Sequence, residues 1–159
     1  MIYLNDLKHT QNLACKLANC ITNHWQKYKT LAIQAILFRG DLGSGKTTFT
    51  KSFVEALPKG KMAQISSPSF ALCNYYKTLP LVLHADLYRC EYNLPDEVWE
   101  GLDNINMLNI IEWAEFLPKD AYPDDYLDIT LKICENGRVM QVEAHGLFAE
   151  RLLKKWLED

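Results

Sequence analysis

Gly40, Gly45, Lys46 and Thr47, with four residues between the two glycines, carry the spacing of a phosphate-gripping loop. Each residue type in it has a physical use. Glycine at 40, 43 and 45 can adopt positive φ and lets the backbone approach an anion without a Cβ between them, so successive N–H groups point inward. Lys46 is long enough to reach the outer phosphate oxygens, and the Thr47 hydroxyl is placed to ligate Mg²⁺. A helix beginning near Thr47 adds the positive end of its dipole. The ligand that fits this chemistry is ATP or GTP. The bland alternative is a glycine-rich turn that binds nothing, but Lys and Thr directly after the last glycine have no use in a bare turn.

Hydrolysing a nucleoside triphosphate also takes an acidic group for the metal or its waters and a group that orients the attacking water. An apolar strand ending in an acid is the usual source. Asp86 follows Leu81-Val82-Leu83, and Glu112 follows the run Leu108 to Ile111. A lone strand-end acid is often only a solvated cap, so the two are read jointly with the loop. His84, two residues before Asp86, shares its side of the strand and fits a satisfied core histidine better than a catalytic base. Arg39 and Arg89 are candidates for a charge-neutralising arginine, though a surface ion pair fits both better. Trp113 has two readings, core packing or a cover over the nucleotide. Thr10, in the first turn of a helix, fits a hydroxyl that satisfies a local backbone group.

The elements that must hold these groups follow from pattern. Ile36-Leu37-Phe38 is a β-type run entering the loop, and a helix with Phe49, Phe53, Val54 and Leu57 leaves it, stopped by Pro58 and Gly60. A first helix is capped by Asn5 or Asp6 and carries Leu7, Leu13, Ala14, Leu17, Ala18, Ile21 and Trp25 at three- and four-residue steps. Ile65 to Phe70 is a polar loop around Pro68, leading into the strand-like Ala71 to Tyr76. Thr78-Leu79-Pro80 then turns into Leu81 to Asp86, either a hairpin partner or a neighbouring buried strand. A short helix opens at Leu94 to Trp99, and Met107 to Ile111 is another apolar run. From Tyr126 to Cys134 apolar and polar residues alternate, Asn136-Gly137 is a two-residue hairpin turn, and Val139 to Ala144 returns antiparallel. A last helix runs from Leu147 to Leu157.

The sum is an α/β fold, a three-layer P-loop NTPase-like sandwich with a mainly parallel central sheet and an antiparallel C-terminal hairpin. Ligands in such sheets sit at the carboxyl ends of the strands, which puts Asp86 and Glu112 beside the loop.

At 159 residues, the expectation is one domain, 1–159, with a single core. The 48% hydrophobic and 23% charged content is that of an ordinary globular protein. A formal net charge of −3 leaves no broad basic footprint for DNA or RNA, so any action on RNA goes through something else. Five scattered cysteines without a C-x-x-C pair argue against a disulfide framework or a zinc site and fit reduced thiols. No apolar run approaches the ~18 residues of a membrane span and no secretory leader pattern is present, so a cytoplasmic location without membrane contact is expected.

Taken together, Gly-Asp-Leu-Gly-Ser-Gly-Lys-Thr-Thr at 40–48, Ser67-Pro68-Ser69-Phe70, His84-Ala85-Asp86-Leu87-Tyr88-Arg89 and Glu112-Trp113-Ala114-Glu115 resemble the TsaE family, formerly YjeE. The resemblance runs in order from about Thr10 to Glu115. That family comprises small bacterial P-loop ATPases required for making threonylcarbamoyladenosine at position 37 of tRNAs that read A-starting codons. The resemblance implies ATP and Mg²⁺ as cofactors. Thr10, Leu42, Gly43, Ser44, Gly45, Lys46, Thr47 and Thr48 would surround the nucleotide, with Thr10 near the base. Thr47 and Glu112 would hold the metal. Asp86, Lys46 and Glu112 would be catalytic, and the loop from Ser67 to Phe70 would sense the nucleotide. The family usually has Thr where this chain has Ser69, which keeps a hydroxyl, and Ala where it has Ser44. It further implies docking on the TsaB and TsaD heterodimer, which carries the transferase chemistry and meets tRNA, with ATP hydrolysis resetting that complex between turnovers. A small-molecule or nucleotide kinase is the alternative, but its arginine-rich lid is missing, since Arg39, Arg89, Arg138 and Arg151 do not cluster. A GTPase switch would need an N-K-x-D element, which the sequence lacks.

Overall fold

Asp6 opens the first helix: its carboxylate accepts the His9 N–H at 2.7 Å, and the carboxylate is thereby the N-cap. In this helix, α1 (Leu7–Tyr28), the buried residues Ala14, Leu17, Ala18 and Ile21 recur at three- and four-residue steps, so one stripe faces the core. The computed structural model describes residues 1–91 and 93–158. Within them the strands are β1 (Ile2–Leu4), β2 (Ala35–Arg39), β3 (Cys73–Tyr76), β4 (Leu81–Asp86), β5 (Met107–Glu112), β6 (Tyr126–Cys134) and β7 (Gly137–His145). They form one sheet in the order β1-β7-β6-β2-β5-β4-β3.

The centre of that sheet is parallel, β6-β2-β5-β4, and both edges are antiparallel. Central parallel strands are covered on both faces, which is why Ala35 to Phe38 and Met107 to Glu112 read as near-continuous buried runs instead of alternating ones. On one face α1, α2 (Lys46–Ala56) and α4 (Leu147–Glu158) close over Ile36, Phe38, Ile110, Ile129 and Leu131, with Phe49 tilted against Phe38 and meeting Trp156 edge-on. On the other face α3 (Asp96–Asp103) and short turns after β5 pack Val98, Ala114, Leu117 and Ala121 onto Ala35, Leu37, Ala85 and Ile111. The expected layers and parallel centre are therefore present.

Three details differ from expectation. β3 and β4 are an antiparallel hairpin, which settles the choice between the two readings of Leu81 to Asp86. The C-terminal hairpin turns on Glu135 and Asn136, one residue earlier than expected. Gly137 pairs with Cys134 inside the ladder, and a Cβ on it would collide with the Leu4 carbonyl oxygen of β1. β1 itself has no counterpart among the expected strands, because three residues are too short to show a period. Among the described residues no helix is long and apolar enough to cross a membrane.

Candidate active site

β2 delivers the chain to Gly40, whose φ is 128° and whose added Cβ would run into the Leu131 carbonyl oxygen of neighbouring β6. Only glycine lets the loop leave the sheet this closely. α2 then starts directly behind Gly45, with Phe49 N–H donating to the Gly45 carbonyl at 2.9 Å. The first turn of the helix thus faces the carboxyl ends of the parallel strands.

Lys46 is 5% exposed. Its ammonium donates to the carbonyls of Gly40 at 2.6 Å and Asp41 at 3.0 Å, and lies 4.2 Å over the Trp113 ring. Burial pushes this ammonium below its usual value, against the opposing pull of Glu112, Glu115, Asp86 and Asp41. Among the described residues no carboxylate comes within ion-pair distance of it, so a buried positive charge stands at the loop with only carbonyl dipoles and a ring face as partners. Trp113, itself left-handed at φ 58°, is therefore a wall beside the lysine, flanked by Tyr88 at 4.6 Å between ring centroids.

From the next residue of the helix, the Thr47 hydroxyl reaches both carboxylate oxygens of Glu112 at 3.0 Å. Glu112 is 2% exposed and sits at the end of β5, with Asp86 beside it in register at the end of β4. A buried carboxylate must be satisfied, and here His84 Nε2 does so from 2.8 Å. His84 is 0% exposed, and its other nitrogen lies 3.3 Å from the Tyr76 hydroxyl. Asp86 accepts the Tyr88 N–H at 2.9 Å and the Ser69 hydroxyl at 3.4 Å. Ser69 is joined to Ser67 at 2.6 Å between hydroxyl oxygens. The loop 67–70, both acids, His84 and the start of α2 thus form one polar cluster.

Thr10, Gly43, Ser44, Gly45 and Thr48 line a cleft of about 320 Å³ on the other side of the loop, together with Leu131 and Arg138. Thr10 also leans on its own helix, 3.5 Å from the Asp6 carbonyl. Leu42 stands outside the cleft with 78% exposure, leaving only its backbone to the loop. Arg39 is not a site arginine: it pairs with Asp128 at 2.9 Å and donates to the Tyr122 hydroxyl at 2.7 Å. The reason is the pleat, since Arg39 follows Phe38 and points to the face opposite α2. Arg89 lies with its guanidinium 5.0 Å over the ring of Phe70, in the 67–70 loop.

Sequence reasoning missed Tyr76, Ser66 and Arg138. Tyr76 donates toward the Ser66 carbonyl at 3.1 Å, and Arg138, at the start of the C-terminal hairpin, donates to the Gly43 carbonyl at 3.1 Å. Pairing the runs on either side of Thr78-Leu79-Pro80 as a hairpin would have put Tyr76 on the face of His84. No local signal marks Arg138.

The residues fit a magnesium triphosphate. Cβ atoms built on Gly43 and Gly45 would meet nothing within 4 Å, so the cradle is open. Ser44 Oγ is buried without a hydrogen-bond partner in the same loop, and Thr47 with Glu112 supplies the hard oxygen donors that Mg²⁺ prefers.

The chain matches, over residues 4–140, the family model described as threonylcarbamoyl adenosine biosynthesis protein TsaE. It is 36% identical over 148 residues to the tRNA threonylcarbamoyladenosine biosynthesis protein TsaE of Nostoc sp., covering 86% of this chain and 80% of the relative. With the protein of the same description from Rickettsia prowazekii the identity is 34% over 140 residues, covering 85% and 88%. The crystal structure of Bacillus subtilis YdiB superposes with a TM-score of 0.67 at 25% identity, covering 96% of this chain and 90% of that one. A P-loop NTPase fold, a lysine and threonine opening the helix behind the loop, and matched relatives along most of both chains lead to one assignment: this chain belongs to the TsaE family of tRNA threonylcarbamoyladenosine biosynthesis.

Proposed function

We propose that the chain is a Mg²⁺-dependent ATPase that acts with TsaB and TsaD in forming threonylcarbamoyladenosine at tRNA position 37. The observation that carries this reading is the Thr47 hydroxyl and the Glu112 carboxylate meeting at 3.0 Å where α2 begins. Those are the two protein groups that would hold the metal. Bound there, Mg²⁺ would act as a Lewis acid that offsets charge developing on the phosphates.

The protein's own groups do the rest. Backbone N–H groups from Gly43 to Thr48 and the dipole of α2 bind the phosphates. Lys46 trades its carbonyl partners for phosphate oxygens, which is favourable because an ionised acceptor makes the stronger hydrogen bond. Asp86, held to Ser69 at 3.4 Å, orients the attacking water and ties its position to the 67–70 loop. Trp113 excludes bulk water on the lysine side, and Thr10 and Arg138 flank the cleft that receives the nucleoside. With a net charge of −3, the chain meets tRNA through its partners, in the cytoplasm where thiols stay reduced.

The test is co-purification of the chain with TsaB and TsaD in the presence of ATP and Mg²⁺, with phosphate release measured on the mixture. A stable complex with stimulated hydrolysis is expected, whereas failure to associate with nucleotide present would defeat the reading. Calorimetry with ATP and GTP tests the choice of base.

A further inference from the structure

We infer that Tyr76 and His84 are positioning residues that couple the Ser66–Phe70 loop to the Glu112 carboxylate through one shared hydroxyl proton. The inference deepens the reading of Glu112 as the metal-side acid. It begins with what each group can give. An ionised carboxylate only accepts, so the 2.8 Å contact requires the hydrogen on His84 Nε2. In a neutral ring Nδ1 is then an acceptor, and it faces the Tyr76 hydroxyl at 3.3 Å. That hydroxyl also faces the Ser66 carbonyl at 3.1 Å.

Tyr76 has one proton and two takers. When it serves Ser66, Nδ1 of a ring with no exposure to water lacks a donor, which costs free energy in a buried site. When it serves Nδ1, the Ser66 carbonyl keeps only the longer contact from the Asn74 amide at 3.3 Å. The Glu112 carboxylate biases this choice. A carboxylate that accepts the N–H of one ring nitrogen fixes the other as the acceptor, and linked hydrogen bonds polarise one another in the same sense. Any change in what Glu112 is asked to hold, beginning with the Thr47 hydroxyl 3.0 Å away, therefore reaches Ser66, the residue directly before the 67–70 loop. Asp86 fixes the far end of that loop through Ser69, so the relay moves one anchor while the other stays.

The coupling is tested on the nucleotide-free protein by a double-mutant cycle, with amide hydrogen exchange at Ser67, Ser69 and Phe70 as the readout. Glu112→Gln is expected to change exchange there by about three- to tenfold, the worth of one neutral hydrogen bond. In a Tyr76→Phe background, which keeps the ring and removes the proton, the same substitution is expected to change it less than about twofold. Equal changes in both backgrounds would overturn the relay. Core amides of α1 at Leu17 and Ile21 serve as the reference, so that general loosening is read separately. Nitrogen NMR of His84 gives a second readout, with hydrogen on Nε2 alone expected and hydrogen on Nδ1, alone or together with Nε2, fatal. If ATP fails to bind, the proposed activity falls while this cycle still reports.

Discussion

A cleft between two helices and the glycine loop at the start of α2 both hold positive charge, and the two regions are built in opposite ways. The larger, about 780 Å³, lies between the C-terminal half of α1 and α4, at the far end of β2 from the glycine loop, and is lined by His24, Lys27, Arg151 and Lys155. The smaller is the surroundings of Lys46 at the loop, apart from the cleft of about 320 Å³ that Thr10 and Arg138 line. In the larger cleft the cations rest on rings, Lys27 at 5.0 Å from the centre of Tyr28 and Arg151 at 5.9 Å from Phe148, and apart from the buried Ala32 and Leu152 its lining is half-exposed or exposed. At the loop the cation is buried, held by two carbonyls, and surrounded by groups whose hydrogen-bonding capacity converges on one point. Volume marks where space is; convergence of buried, incompletely satisfied polar groups marks where chemistry is.

The strongest way to break that contrast is to remove the buried cation. Lys46→Ala is expected to weaken ATP binding at least ~100-fold, since a desolvated charge-assisted contact is worth several kcal/mol. Lys27→Ala and Lys155→Ala are expected to leave it within about twofold, as exposed charges contribute little. Calorimetric titration with ATP measures both. Comparable losses from either region would erase the distinction.

Next in size is Glu112→Ala. Losing a metal-side carboxylate is expected to lower Mg²⁺-dependent turnover by about 100-fold or more, several kcal/mol of transition-state stabilisation. Binding of ATP with EDTA present should change far less. Unchanged phosphate release with TsaB and TsaD would take Glu112 out of the site.

Both of these effects rest on residues that the amino-acid sequence marks by itself. The loop is readable because glycine spacing and the following Lys46-Thr47 are local, and the parallel centre is implied by buried runs ending in acids. What is not readable depends on register. Tyr76 reaches His84 only because β3 folds back on β4 with Asn74 opposite His84. β1 is three residues long and exists by pairing with β7. Arg39 depends on register too: adjacency to Gly40 allows a place at the loop, and the two-residue period of a strand sends it to the opposite face, into the ion pair that fits its sequence better.

Arg39→Ala tests that placement with a smaller effect. It breaks a partly buried ion pair to Asp128 and the hydrogen bond to Tyr122, so a loss of about 1 kcal/mol in unfolding free energy is expected. ATP turnover should stay within about twofold, measured beside urea melts. A hundredfold loss of turnover would return Arg39 to the site.

The smallest expected effect belongs to the larger cleft and follows from the sign of one shift. His24 is held below its usual 6.5, first by burial and second by the charge of Lys155. In the unfolded chain the ring takes a proton more readily than in the fold. Its contribution is therefore fully present above about pH 6.5 and is lost as pH falls through that value toward the lower folded one. Melting of the wild type should accordingly decline between about pH 7.5 and 5.5 more than melting of His24→Gln. Lys155→Met should remove part of the difference and not all of it, because burial is the larger cause and survives that substitution. If His24→Gln shows the same decline as the wild type, the ring is not held neutral by its surroundings, and the larger cleft loses its claim to be a region of uncompensated positive charge.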